Sequence, residues 1–281
     1  MTRLAAVAAS IALALVAAVG ADGAPDPLVA TAYPAPRPQG VMVTSGGWAY
    51  CEQLRPLARR THYTLLCGRY AKDGYTGRGL RARRRLDWGD PGYLSSLARR
   101  ARALHREVGG RLLLVGVSYS GFGVATLAAH HPELRPDRLI VIDSYLDLVA
   151  RRRRLPDRHV TAREIDGETG GSNAELRWRS ASAADLARLL RGGTRLTVVW
   201  SISEHERRFF NGATCARNAS AATLARVAHD LDRPVPAWVT NTRHGVNLWR
   251  NGRAIVGGRM PGRQVTFRPD GRIPAGSICR G

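Results

Sequence analysis

Lysine is nearly missing from this sequence. The 281-residue chain has one, Lys72, so its 43 basic residues are otherwise arginine, and the net charge is +21. Charge of that sign attracts nucleic acid, anionic envelope polymers and membrane surfaces. The arginines are spread along the chain, and no recognised nucleic-acid module accompanies them. A nucleic-acid partner is therefore not expected. The plainer source of so strong an Arg-over-Lys bias is genomic base composition. The charge leaves one further expectation, an electrostatic association with anionic envelope surfaces.

Cysteine is scarce as well: Cys51, Cys67, Cys215 and Cys279. There is no C-x-x-C, and the spacing does not suit a zinc site, so no metal is expected. Internal repeats are absent too, which excludes repeat architectures.

What is present starts at the N-terminus. Met1-Thr2-Arg3 carries one positive charge, Leu4 to Val19 is uncharged and apolar, and small residues follow through Gly23. That is the pattern of a secretory signal peptide over residues 1–21, with cleavage near Ala21. The alternative is an uncleaved anchor, since a run of this length only just reaches the span of a bilayer. Export favours disulfides. Three pairings of four cysteines are possible. Cys51–Cys67 and Cys215–Cys279 are preferred because each would staple neighbouring elements.

Residues 22–40 carry Pro25, Pro27, Pro34, Pro36 and Pro38 and read as a Pro/Ala-rich extended leader. Residues 41–281 read as the domain. With 44 % hydrophobic residues the chain can bury a sizeable core. Short apolar runs at Val41–Ser45, Tyr63–Cys67, Leu112–Val117, Arg138–Asp143, Leu196–Trp200 and Val235–Thr240 are strand candidates. Helical spacing intervenes, most clearly after Asp90-Pro91, where an N-cap and a first-turn proline coincide. The tail offers two weaker strand candidates, Ala254–Val256 and Gln264–Phe267. Strands alternating with helices imply βαβ units and a mostly parallel central sheet flanked by helices, the α/β class. The alternation breaks only at about 150–180, where a cap insertion over the site is expected.

The sharpest motif is Gly116-Val117-Ser118-Tyr119-Ser120-Gly121, between a buried apolar run and a helix that stops at Pro132. A serine on a strand-to-helix turn, with small residues two before and two after, is a nucleophile elbow. The turn lifts the hydroxyl clear of the sheet, and the helix N-terminus offers amides to a developing oxyanion. Ser120 stands where a glycine is usual, with Gly121 one place late. It reads as a small filler.

These elements, in this order, resemble the α/β-hydrolase fold over about residues 41–250. The resemblance rests on Ser45-Gly46-Gly47-Trp48 after the first strand, the Gly116–Ser120 elbow, a carboxylate after the Leu196–Trp200 strand and a histidine after the last core strand. It implies Ser118 as nucleophile and His244 as general base. Glu204 is the best-placed acid, with Glu206 and Asp143 as alternatives. The oxyanion would be held by the backbone N–H of Tyr119 and of Gly47 or Trp48. The implied chemistry is two-step acyl transfer to water on a small-molecule or lipid ester, needing neither metal nor cofactor. An acyltransferase on the same site is an alternative. So is a catalytically silent binding protein, since Ser45 for His, Ser120 for Gly and Glu for Asp depart from the usual pattern.

Overall fold

A strand buried on both faces must be apolar throughout, and Leu112–Val117 meets that condition without interruption. The computed structural model, which describes residues 26–71, 87–202 and 216–275, makes this run the centre of an eight-stranded sheet. In chain order the elements are β1 (Leu28–Tyr33), β2 (Gly40–Thr44), α1 (Trp48–Arg60), β3 (Thr64–Tyr70), α2 (Pro91–Val108), β4 (Arg111–Val117), α3 (Tyr119–His130) and β5 (Arg138–Ile142). Then come α4 (Leu148–Arg153), α5 (Val160–Thr169), α6 (Asn173–Trp178), α7 (Ala183–Arg191), β6 (Arg195–Ser201), α8 (Ala216–Leu231), β7 (Val235–Thr240), α9 (Val246–Val256) and β8 (Arg263–Phe267). The strand order is β1-β3-β2-β4-β5-β6-β7-β8. β1 and β8 are antiparallel to their neighbours, and the six strands between them run parallel.

Alternation along β4 splits the core in two. Leu112 and Leu114 pack with Val41, Val43, α2, α3, α7 and α8. Leu113, Val115 and Val117 pack with Met42, α1 and α9 on the other face. Each such side chain stabilises the fold by about 1.5–3 kcal/mol on burial. α2 begins where the sequence places it: the Asp90 carboxylate accepts the Tyr93 N–H at 2.8 Å, and Pro91 follows it.

The chain moves outward from β2 to β3, then crosses back over β2 to β4 and continues in the other direction. The loops after β2 and β4 therefore leave their strands on either side of a reversal in winding. In open parallel sheets, the crevice at the carboxyl ends of such a pair is where ligands bind.

Two expectations need correction. Residues 28–33 are not part of a leader outside the sheet but its edge strand β1. Prolines flank that strand, leaving its interior free to pair with β3. Ala254–Val256 is the last turn of α9, not a strand. Ile255 and Val256 face the core at helical spacing from Leu248 and Gly252. Residues 150–180, where the alternation breaks, form α4, α5 and α6, of six, ten and six residues. Helices this short show less than two or three turns of periodicity, and their stability comes from packing. Leu148, Ile165 and Leu176 join the core on the α1 side. The Gln264–Phe267 candidate is β8.

The Arg151–Arg154 run is not a continuous basic face. Arg151 is buried, with its guanidinium 5.5 Å from the centre of the Tyr145 ring. Arg152 pairs with Asp157 and Asp166, at 2.8 and 2.7 Å. The Arg81–Arg85 run lies outside the described residues.

Cys51 in α1 and Cys67 in β3 form a disulfide, with their Cα atoms 5.6 Å apart. Cys215 and Cys279 lie outside the described residues. The bond closes a segment of 16 residues, worth about 3 kcal/mol by the loop-entropy relation. Replacing both cysteines by alanine should lower the melting temperature by roughly 6–12 °C, taking 2–4 °C per kcal/mol for a domain of this size. Calorimetry under non-reducing conditions reads it, and an unchanged midpoint refutes the estimate.

Candidate active site

The register of three strands assembles the site. Val117 of β4 pairs with Ile142 of β5, so the next residue of each, Ser118 and Asp143, leave the sheet side by side. The Ser118 amide donates to the Ile142 carbonyl at 2.9 Å, and the Asp143 amide donates to the Val199 carbonyl of β6 at 2.8 Å. Both residues have positive φ, 54° at Ser118 and 50° at Asp143. Non-glycine residues adopt such angles at a cost of about 1–3 kcal/mol each, and they gather at functional sites.

At Ser118 the strain comes from the sharpness of the turn. Gly121 N–H donates back to the Ser118 carbonyl at 3.1 Å, and α3 starts at once. A Cβ at Gly116 would lie 2.2 Å from the Ser120 carbonyl oxygen, so only glycine fits there. Gly121 answers a different contact, since its Cβ would meet the Ser144 side chain at 2.6 Å. Ser120 is more than a small filler. Its hydroxyl accepts the Val117 N–H at 2.8 Å and sits 3.0 Å from the Val117 carbonyl, tying the elbow across its base. Ser118 is half-buried between fully buried neighbours.

The Asp143 carboxylate is buried and well supplied with donors. Oδ1 accepts the Ser201 N–H at 2.5 Å. Oδ2 accepts the Gly245 N–H at 2.8 Å and lies 3.0 Å from the Ser201 hydroxyl. Gly245 directly follows His244, so Asp143 grips the histidine's own turn. That turn joins β7 to α9, with Gly245 left-handed at φ 76°. A polar network stiffens it from below. Asn247 Nδ2 donates to Thr240 Oγ1 at 2.7 Å, and Thr240 Oγ1 meets Thr242 Oγ1 at 2.8 Å. The Ser201 hydroxyl lies 3.0 Å from both Thr242 Oγ1 and the Arg243 carbonyl. Asn251 completes the chain through Asn247 Oδ1 at 2.9 Å.

The turn after β2 reaches the elbow from the other side. Gly46 and Gly47 have φ of 92° and 101°. A Cβ on Gly46 would come within 2.8 Å of the Tyr119 ring. The Gly47 N–H points at the Gly68 carbonyl, 3.4 Å away, and α1 begins at Trp48.

No protein-family model and no curated relative matches the sequence. Solved structures do match in three dimensions. Carboxyl esterase 2 from the mycorrhizal fungus Tuber melanosporum superposes with a TM-score of 0.52 at 14 % identity, over 82 % of this chain and 79 % of its own. MPT51 of Mycobacterium tuberculosis gives 0.52 at 14 %, over 87 % and 96 %. The fold is that of the α/β-hydrolases.

On this α/β-hydrolase fold, the residues singled out from the sequence fall into three groups. Ser118, Tyr119, Asp143 and the His244 turn come together at the carboxyl ends of β4, β5 and β7, with the Gly46–Gly47 turn against them. Glu204 and Glu206 lie outside the described residues. Ser201, Thr242 and Asn247 escaped the sequence reading, because nothing in a lone polar residue shows that it will meet a carboxylate or a turn more than forty residues away.

Proposed function

We propose that the chain is a serine hydrolase that cleaves a carboxylic ester through Ser118, His244 and Asp143. One observation supports it above the others: β4 and β5 end in register, so the strained serine and the buried aspartate emerge together, and the aspartate holds the amide next to His244. The sequence ranks Glu204 first as the acid. Asp143 takes that role here because its carboxylate already accepts from the histidine's turn.

In this reading Ser118 Oγ attacks the ester carbonyl carbon, and His244 takes the hydroxyl proton. Asp143 orients the imidazole and stabilises its cation without accepting the proton. The carbonyl oxygen becomes an oxyanion, held by the Tyr119 N–H and a donor from the turn after β2. Since the Gly47 N–H is directed at Gly68, that second donor is Trp48. Collapse breaks the bond to the leaving alcohol, which receives the proton from His244. Water, deprotonated by His244, then releases the acid and frees Ser118. Each donor is worth roughly 3 kcal/mol of transition-state stabilisation. The substrate is a small-molecule or lipid ester, and the N-terminal segment directs export.

A fluorophosphonate probe tests this directly. The intact protein should be labelled at Ser118, as peptide mapping of the adduct would show. A folded protein that resists labelling refutes the enzyme and leaves a silent binding protein.

A further inference from the structure

Tyr119 carries a second piece of machinery, on its side chain. The phenol is fully buried beneath the elbow. Its ring packs edge-on to Trp88, centroids 4.9 Å apart, and tilted to Tyr50 and Phe122 at 6.2 and 6.0 Å. Its oxygen accepts the Trp88 N–H at 2.7 Å. Beside it lies Asp87, which has no exposure to solvent. Asp87 Oδ1 accepts the Gly89 N–H at 2.8 Å, whereas Oδ2 has no hydrogen-bond partner among the described residues. The turn that presents both groups is strained at Trp88, whose φ is 44°, and passes through Gly89 at 78°.

A buried carboxylate oxygen without a donor is costly, and burial of that kind raises the pH at which the group takes up a proton. Burial pushes Asp87 up to about 6, against the pull of Gly89 N–H and the Tyr119 phenol. Among the described residues, few charged and titratable groups surround the pair. Asp90 adds repulsion from the start of α2. Arg179, at the end of α6, spends Nη1 on the Asp87 carbonyl at 3.3 Å. Tyr145, in the loop after β5, and Tyr93, in α2, act on Asp87 or Tyr119. None of these supplies Oδ2 with a donor.

We propose that Asp87 is a positioning residue: through the Tyr119 phenol it fixes the first turn of α3, and with it the amide that follows Ser118, against the Gly46–Gly47 turn. The ring is the mechanical link. It lies against the Gly46–Gly47 turn, so closely that a Cβ on Gly46 would come within 2.8 Å of it. The catalytic consequence rests on Ser118 being the nucleophile, but the positioning itself does not.

The experiment therefore has two readouts. Hydrogen exchange of the peptide spanning Ser118 to Gly121 reports positioning, and the fluorophosphonate labelling rate reports its use. Asp87→Ala and Tyr119→Phe should each speed exchange at this peptide and slow labelling, both at least tenfold. Exchange at the β4 and β5 core peptides should not change. Asp87→Asn should return both readouts to within about threefold of the wild type, because it keeps a hydrogen-bonding group of the same shape against the phenol. Unchanged exchange in Tyr119→Phe overturns the proposal, as does an Asp87→Asn variant that behaves like Asp87→Ala. Faster exchange in both variants, of a protein whose wild type takes no label, would uphold the positioning and refute the hydrolase reading instead.

Discussion

Ser118→Ala should lower kcat for ester hydrolysis by roughly 10⁴–10⁶-fold, the range seen when the nucleophile of a serine hydrolase is removed. It should leave the melting temperature within about 2 °C of the wild type. The asymmetry follows from what the hydroxyl does. The Ser118 side chain makes no capping bond to α3, and alanine occupies the same strained conformation at the same backbone cost. A change of this size at a half-buried side chain that makes no hydrogen bond among the described residues moves stability by no more than about 0.5 kcal/mol. Ser118→Gly sharpens the test. Glycine adopts φ of 54° without strain, so this variant should be more stable than wild type by about 1 kcal/mol or more while being equally inactive. Opposite signs on stability and activity at one position would mean that the fold spends stability there to hold a nucleophile. If Ser118→Ala keeps its activity in a p-nitrophenyl ester assay, the nucleophile lies elsewhere.

The elbow was legible because its constraints are local. A buried apolar run, a turn of small residues and a helix stopped by proline occupy consecutive positions, and the period changes at Ser118 itself. The parallel sheet was legible for the same reason, since each strand declares itself by an unbroken apolar run. What the sequence conceals depends on register. Asp143 looks like any carboxylate after a strand until Val117 is paired with Ile142, which sets it beside Ser118. Glu204 earned its rank from position relative to a strand end, which says nothing about where a side chain's donors come from. β1 hides for another reason. Its proline-rich flanks dominate the composition of residues 22–40, and an edge strand with one half-exposed face needs no apolar run to pair. Ser120 reads as a filler when size alone is weighed. Its hydroxyl is the tie that closes the turn, so a glycine there would fit and still loosen it.

Asp143→Asn should lower kcat by roughly 10⁴-fold, as expected when the acid of a triad loses its charge and fixes the imidazole in the wrong tautomer. Two further arguments make this variant more informative than alanine. The amide is nearly isosteric, so the cavity term is small. It also places an NH₂ where one carboxylate oxygen now accepts. If that NH₂ replaces Oδ2, it faces the Gly245 N–H at 2.8 Å; if it replaces Oδ1, it faces the Ser201 N–H at 2.5 Å. Either way two donors confront each other, and the His244 turn shifts. A stability cost of about 1–3 kcal/mol should accompany the loss of rate. Glu204→Gln is the control, expected to stay within about fivefold of wild type. The reverse pattern would move the acid to Glu204 and leave Asp143 as the anchor of the turn. A His244→Ala background separates the two roles. Residues that act as one unit are strongly non-additive, so adding Asp143→Asn to His244→Ala should cost almost no further activity. Its stability cost should persist undiminished, because Gly245 and Ser201 still present their amides to the same buried oxygens.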